Sequence, residues 1–150
     1  MKKILSILGI GLILSSATLT YASNCNDGEE CFQKGFKAYL AGDIETAKKY
    51  GEISCKQFNY GKGCFGLGYL YEHGQGFPKD MKEALKYYGK SVKGNTEVCN
   101  KNDGAISGQA CYELGYLYKH GYAVEKNTAK AKELFKKACD LGYQKGCKEL

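Results

Sequence analysis

Small and apolar residues recur along this chain with a helical period, and the pattern appears three times. The spacing i, i+3, i+4, i+7, i+8 gives Ala131, Leu134, Phe135, Ala138 and Cys139. The same template gives Ala84, Tyr87, Tyr88, Ser91 and Val92, and before those Ala47, Tyr50, Gly51, Ser54 and Cys55. A stripe with this spacing occupies one face of an α-helix. Each stripe opens behind Asp43, Asp80 or Asn127, four positions before the alanine. A short side-chain oxygen there can accept from an unpaired N–H of the first turn.

A second kind of helix precedes each of these. CFGLGYLYEHG, Cys64 to Gly74, aligns almost position for position with CYELGYLYKHG, Cys111 to Gly121. A helix pair that recurs at such an interval signals a solenoid. The pattern therefore predicts an all-α superhelix of about three helix-pair repeats, near 28–57, 61–99 and 108–146. In the first repeat, helix A is expected at about Glu30 to Ala41 and helix B from Ile44 to about Lys56. Gly35 and Ala47 are 12 positions apart there, whereas Gly68 with Ala84 and Gly115 with Ala131 are 16 apart. The extra four residues fall in the turns His73–Asp80 and His120–Asn127. Between the second and third repeats, Lys93 to Gly108 is polar and rich in turn formers, and is expected to be a long loop.

The first 22 residues read differently. Lys2 and Lys3 precede the apolar run Ile4 to Leu14, and small residues lead to Thr20-Tyr21-Ala22. That order is the pattern of a secretory signal, which leaves 23–150 as the repeat domain. The apolar run is short for a membrane span of roughly 20 residues, so no membrane association is expected after signal removal. All eight cysteines lie beyond the signal, at Cys25, Cys31, Cys55, Cys64, Cys99, Cys111, Cys139 and Cys147. An even count in an exported chain predicts disulfides. The repeat frame pairs the end of each helix B with the start of the next helix A: Cys55 with Cys64, and Cys139 with Cys147. Cys99 with Cys111 then tethers the expected loop, and Cys25 with Cys31 pins the N-terminus. No C-x-x-C pair occurs and only two histidines are present, so neither a structural metal nor any other cofactor is expected. His73 and His120, at equivalent helix ends, are expected to cap helix C-termini.

The net charge is +6 from 22 lysines and 16 acidic residues; without Lys2 and Lys3 it is +4. The chain has no arginine, the preferred residue for bidentate phosphate and base recognition, so nucleic acid is not an expected partner. Lysines interspersed with acids read as solvated helix faces. No S-x-x-K sequence occurs, which removes the usual serine β-lactamase arrangement. No catalytic set can be assigned.

LGYLYxHG, the long turn, the K-x-A of helix B and ACDLGYQKGC resemble Sel-like repeats, and more narrowly the cysteine-rich Helicobacter (Hcp) family. The resemblance implies a right-handed α/α superhelix with bonded repeats in an exported protein, periplasmic or secreted. It also implies a link to β-lactams, by binding or weak hydrolysis, or to a related cell-wall ligand. The first repeat departs from that family in its shorter spacing and the second in its displaced cysteine. The helix opened by Cys147 reads as a truncated cap, which raises dimerisation as an expectation.

By analogy with tetratricopeptide arrays, one stripe of helix A should face the concave side. It comprises Phe32, Phe36 and Tyr39; Phe65, Tyr69 and Glu72; and Tyr112, Tyr116 and Lys119, with Glu113 beside them. Stacked repeats present such a face to extended partners, and tyrosines give contact area at low entropic cost. A protein or peptide partner is the primary expectation, with Glu72, Glu113 and Lys119 orienting it. The alternative is that several of these rings pack against the neighbouring repeat.

Overall fold

The computed structural model describes residues 25–150; the expected secretory signal lies outside them. Among the described residues the chain is helical, with no strand. Three antiparallel pairs follow one another: α1 (Gly28–Leu40) with α2 (Ile44–Glu52), α3 (Gly61–His73) with α4 (Met81–Asn100), and α5 (Gly104–His120) with α6 (Thr128–Asp140). A short α7 (Gln144–Cys147) follows the third pair. Each first helix packs on its own second helix, and each second helix packs on the first helix of the next pair. The result is a right-handed α/α superhelix.

The local signals explain where the helices begin. Asp43 accepts from Thr46 N at 3.0 Å, Asp80 from Lys82 N at 2.9 Å and Asn127 from Lys130 N at 2.9 Å. Asp27 does the same for α1, from Glu30 N at 2.7 Å. Gly74 and Gly121 end α3 and α5 in the left-handed conformation, at φ 66° and 73°, where a side chain would be strained. α2 continues directly into a π-helical turn, Ile53–Gln57, which carries Cys55.

The core lies between the two helices of each pair. Ala47, Ala84 and Ala131 are buried. At Gly68 an added Cβ would lie 2.6 Å from ring carbons of Tyr88, so glycine sets the approach of α3 to α4. Four cystines join Cys25–Cys31, Cys55–Cys64, Cys99–Cys111 and Cys139–Cys147. Three of them bond one helix pair to the helix that follows.

One expectation is corrected. Lys93 to Gly108 is not a long loop: α4 runs on to Asn100, α5 starts at Gly104, and only 101–103 connect them. Ser91, Val92, Asn95, Val98 and Cys99 continue the inward stripe of α4. Asn95 is fully buried, and its Nδ2 donates to Glu113 Oε2 at 2.9 Å. Gly94 lies against Gly61, where a Cβ would meet the Gly61 Cα at 2.9 Å. Ser107 donates to the Val98 carbonyl at 2.7 Å and accepts from Asp103 N at 2.9 Å, holding the tight connection. Tertiary contacts thus keep helical a stretch whose Gly94, Asn95 and Thr96 favour turns in isolation.

Candidate functional site: an aromatic cleft on the concave face

A register relative to Gly35, Gly68 and Gly115 organises the concave face. Three residues before these glycines stand Phe32, Phe65 and Tyr112; one residue after stand Phe36, Tyr69 and Tyr116. With Tyr39, these six rings line a cleft of about 230 Å³ that runs across α1, α3 and α5. The rings contact one another across the repeats. Tyr39 meets Tyr69 edge-on at 6.2 Å and Phe65 meets Tyr116 edge-on at 5.8 Å, while within α1 Phe32 stacks on Phe36 at 5.7 Å. They therefore do both things that the sequence allows: they pack on their neighbours and leave their remaining faces to the cleft. Phe32 is the most enclosed, at 7% exposure.

The three charged residues of the stripe have separate fates. Glu113 lines the cleft but is 4% exposed. Its carboxyl accepts from Asn95 Nδ2 at 2.9 Å and from Gln109 Nε2 at 3.0 Å. Burial pushes it up to about 8, against the opposing pull of Lys62 and the two amide bonds. Glu72 does not reach the cleft lining. It accepts hydrogen bonds from the hydroxyls of Tyr88, of Tyr116 at 3.0 Å and of Tyr122 at 3.2 Å. This tether joins α3, α4, α5 and the turn that follows, and burial together with the Glu72 charge raises all three phenols. Lys119 also stands outside the lining, paired with Glu149 at 2.6 Å.

Sequence reasoning missed Lys62, Gln109, Gly66, Tyr143 and Lys145, all of which line the cleft. Lys62 is 1% exposed. Its ammonium lies 3.0 Å from Glu29 Oε2 and over the ring of Phe32, 5.0 Å from the centroid. Glu29, Lys62 and Gln109 all stand six positions before the register glycine. Extending the aromatic stripe backward by one turn would have found them. Tyr143 and Lys145 belong to the return after α6, for which the helix-A periodicity carries no signal. Tyr143 packs on Tyr112 at 5.4 Å, and burial raises its phenol to about 12.

The helix-end histidines stack against the same surface. His73 Nδ1 is 3.0 Å from the Tyr69 carbonyl, and its ring stacks on Tyr69 at 4.0 Å. His120 instead rests its ring on Tyr116 at 4.4 Å and Tyr122 at 5.1 Å.

Nucleophiles are scarce. The described serines are Ser54, Ser91 and Ser107, all fully buried. Their hydroxyls donate to the carbonyls of Gly28, Tyr88 and Val98. No described cysteine is free. The cleft offers ring faces, phenol hydroxyls, the buried acid Glu113 and the buried ammonium of Lys62.

These features define a disulfide-bonded α/α repeat scaffold with an aromatic concave cleft. The chain belongs to the Sel1 repeat family, whose repeat matches residues 22–57, 61–95 and 108–143. The matched segments leave out 96–107, which holds the extension of α4 and the tight turn into α5. Over 57 residues the chain is 40% identical to HcpC of Helicobacter pylori, covering 38% of this chain and 19% of that protein. Over 61 residues it is 35% identical to the beta-lactamase HcpA of the same organism, covering 41% of this chain and 24% of HcpA. The chain thus matches about a fifth to a quarter of the length of these relatives. Among solved structures it resembles a Sel1 repeat protein from Oxalobacter formigenes. That likeness has a TM-score of 0.52 at 25% identity, over 81% of this chain and 46% of that one.

Proposed function

We propose that this chain is an exported scaffold that holds a protein or peptide segment along its concave face. The observation that carries the reading is the cleft itself, whose aromatic wall is assembled from equivalent positions of all three repeats. Repeat arrays use such surfaces for extended partners. The four cystines support export, because they persist in oxidising compartments; the N-terminal charge and hydropathy pattern agrees, with the periplasm or the cell exterior as destination. No described helix is long and apolar enough to cross a membrane.

The test is selection of displayed peptides on the oxidised protein, followed by titration of a labelled selected peptide. Phe36→Ala with Tyr69→Ala should weaken binding at least about tenfold, as expected when central aromatic anchors are truncated. Both side chains are only half-buried and neither bonds to Glu72, so the fold should survive. Unchanged affinity in the double variant would remove the cleft from the reading.

A second reading, β-lactam binding or slow ring opening, rests on the name of HcpA. Hydrolysis of a chromogenic cephalosporin by the folded, oxidised protein tests it. A rate that disappears when the cystines are reduced would support it, and a rate equal to buffer would exclude hydrolysis.

A further inference from the structure

The cleft contains two features that aromatic packing does not explain. The first is Gly66. A glycine inside a helix is destabilising and normally has a packing reason. Gly68, on the same helix, has one in the Tyr88 ring. At Gly66 an added Cβ would meet no atom within 4 Å. The missing side chain opens a notch in the cleft wall, of which Gly66 is part.

The second feature is Glu113, which holds the same repeat position on α5 as Gly66 on α3: each stands two residues before its register glycine. The residue is 4% exposed, and among the described residues its carboxyl accepts two amide hydrogen bonds, from Asn95 and Gln109. No lysine among the described residues lies within 4.0 Å of it. The previous junction of the array shows what such a carboxylate takes. There Glu29 holds the Lys62 ammonium at 3.0 Å, with the cation 5.0 Å from the Phe32 ring centre and 5.4 Å from that of Tyr60. In the third repeat the position of Lys62 is occupied by Gln109, a neutral donor. Glu113 therefore has the carboxylate of a cation site, with the rings of Tyr112, Tyr116 and Phe65 at hand in the same cleft, and no cation among the described residues bonded to it.

We infer that the cleft receives a lysine side chain of an extended peptide, its ammonium directed to Glu113 through the notch at Gly66. This rests on the peptide-binding reading above and specifies its chemistry. A lysine fits both halves of the site. Its methylene stem can lie on ring faces while its charged head reaches the acid.

The groups facing Glu113 set the pH dependence. They are Lys62 on α3, Glu29 on α1, Asn95 on α4, Gln109 and Tyr112 on α5, and Tyr143 after α6, with Lys145 of α7 lining the same cleft. The free carboxyl is held up to about 8, so it carries a proton in neutral solution. An ammonium ligand makes it ionise and release that proton. Observed affinity then scales with the ionised fraction. It should rise by about tenfold per pH unit below about pH 7 and level off above about pH 8.

The experiment is calorimetry on the oxidised protein with three acetylated, amidated alanine pentapeptides, whose central residue is lysine, norleucine or glutamate. The expected result is that the lysine peptide binds at least about tenfold more tightly than the other two, more tightly at higher pH, with up to one proton released per peptide. Glu113→Gln should erase the preference for lysine over norleucine. Gly66→Leu, which fills open space and leaves the core untouched, should weaken the lysine peptide while the unfolding midpoint stays level or rises. The inference is overturned if norleucine or glutamate peptides bind as well as lysine, if affinity falls with pH, if the Glu113→Gln protein keeps the preference, or if the lysine peptide does not bind. Norleucine or glutamate binding that Phe36→Ala with Tyr69→Ala abolishes would leave the concave-face reading standing. Peptides that bind the double variant equally well would remove that reading too.

Discussion

Replacing the titratable carboxyl of Glu113 should flatten the stability of this protein against pH. The carboxyl is held up to about 8 in the fold, against an ordinary value of 4.5, chiefly because burial disfavours its ionised form. An acid raised in this way contributes its full stability below the unfolded value. As pH rises past that value the unfolded chain ionises and the folded chain does not, so stability falls until pH reaches the folded value and then levels. The slope approaches about 1.4 kcal/mol per pH unit, on the order of 4–5 kcal/mol across the whole span and about 2–3 kcal/mol between about pH 6 and about pH 8. Glutamine is the informative replacement. Asn95 Oδ1 has no hydrogen-bond partner. Turning the Asn95 amide over offers that oxygen to a protonated Glu113 or to a glutamine N–H, so Glu113→Gln can keep the bonds to Asn95 and Gln109. The assay is urea unfolding with the cystines intact, at several pH values from about 5 to 9, on the wild type and the variant. The wild type should lose stability relative to the variant as pH rises. Parallel profiles, or a wild type that gains on the variant towards pH 8, would refute the assignment of a buried, protonated Glu113.

Three further outcomes follow from the packing. Gly68→Ala places a methyl 2.6 Å from the Tyr88 ring and should cost about 1–3 kcal/mol by overpacking, whereas Gly66→Ala enters open space and should stabilise by about 0.4–1 kcal/mol; thermal melts that rank the two the other way would contradict the register described above. Replacing Cys99 and Cys111 together by serine opens a loop of 12 residues and should cost about 2–3 kcal/mol in urea unfolding, and an unchanged midpoint would show that α4 and α5 hold their connection without it. Asn127→Ala removes the bond to Lys130 N and should cost about 1 kcal/mol, read as a lowered melting temperature; no shift would mean that the start of α6 is held by the turn instead.

The sequence carries two kinds of information with different reach. Helical period, N-caps, turn glycines and the spacing of the cysteines are local, and the repeat multiplies them threefold. For that reason the helix pairs, the starts at Asp43, Asp80 and Asn127, and the cystine partners could all be read along the chain. The aromatic stripe was legible for the same reason, since a face that recurs in every repeat must point the same way in every repeat. The extension of α4 was not legible, because Gly94, Asn95 and Thr96 are poor helix formers and only the contacts of Gly94 with Gly61 and of Asn95 with Glu113 hold them helical.

By itself the sequence determined the architecture: a stack of helix pairs bonded by cysteines, with aromatic residues along one side. The tertiary structure alone decided what the charged residues of that side do. Glu72, Glu113 and Lys119 look alike in the pattern, as exposed orienting groups. Stacking makes the first a tether for three tyrosines, buries the second in the cleft wall and leaves the third pairing with Glu149 outside it. Lys62, unremarkable in the sequence, becomes a buried cation on Glu29. The physical reason is that burial and charge pairing depend on which residues of the next repeat arrive opposite, and a helical period of 3.6 residues is silent about that neighbour.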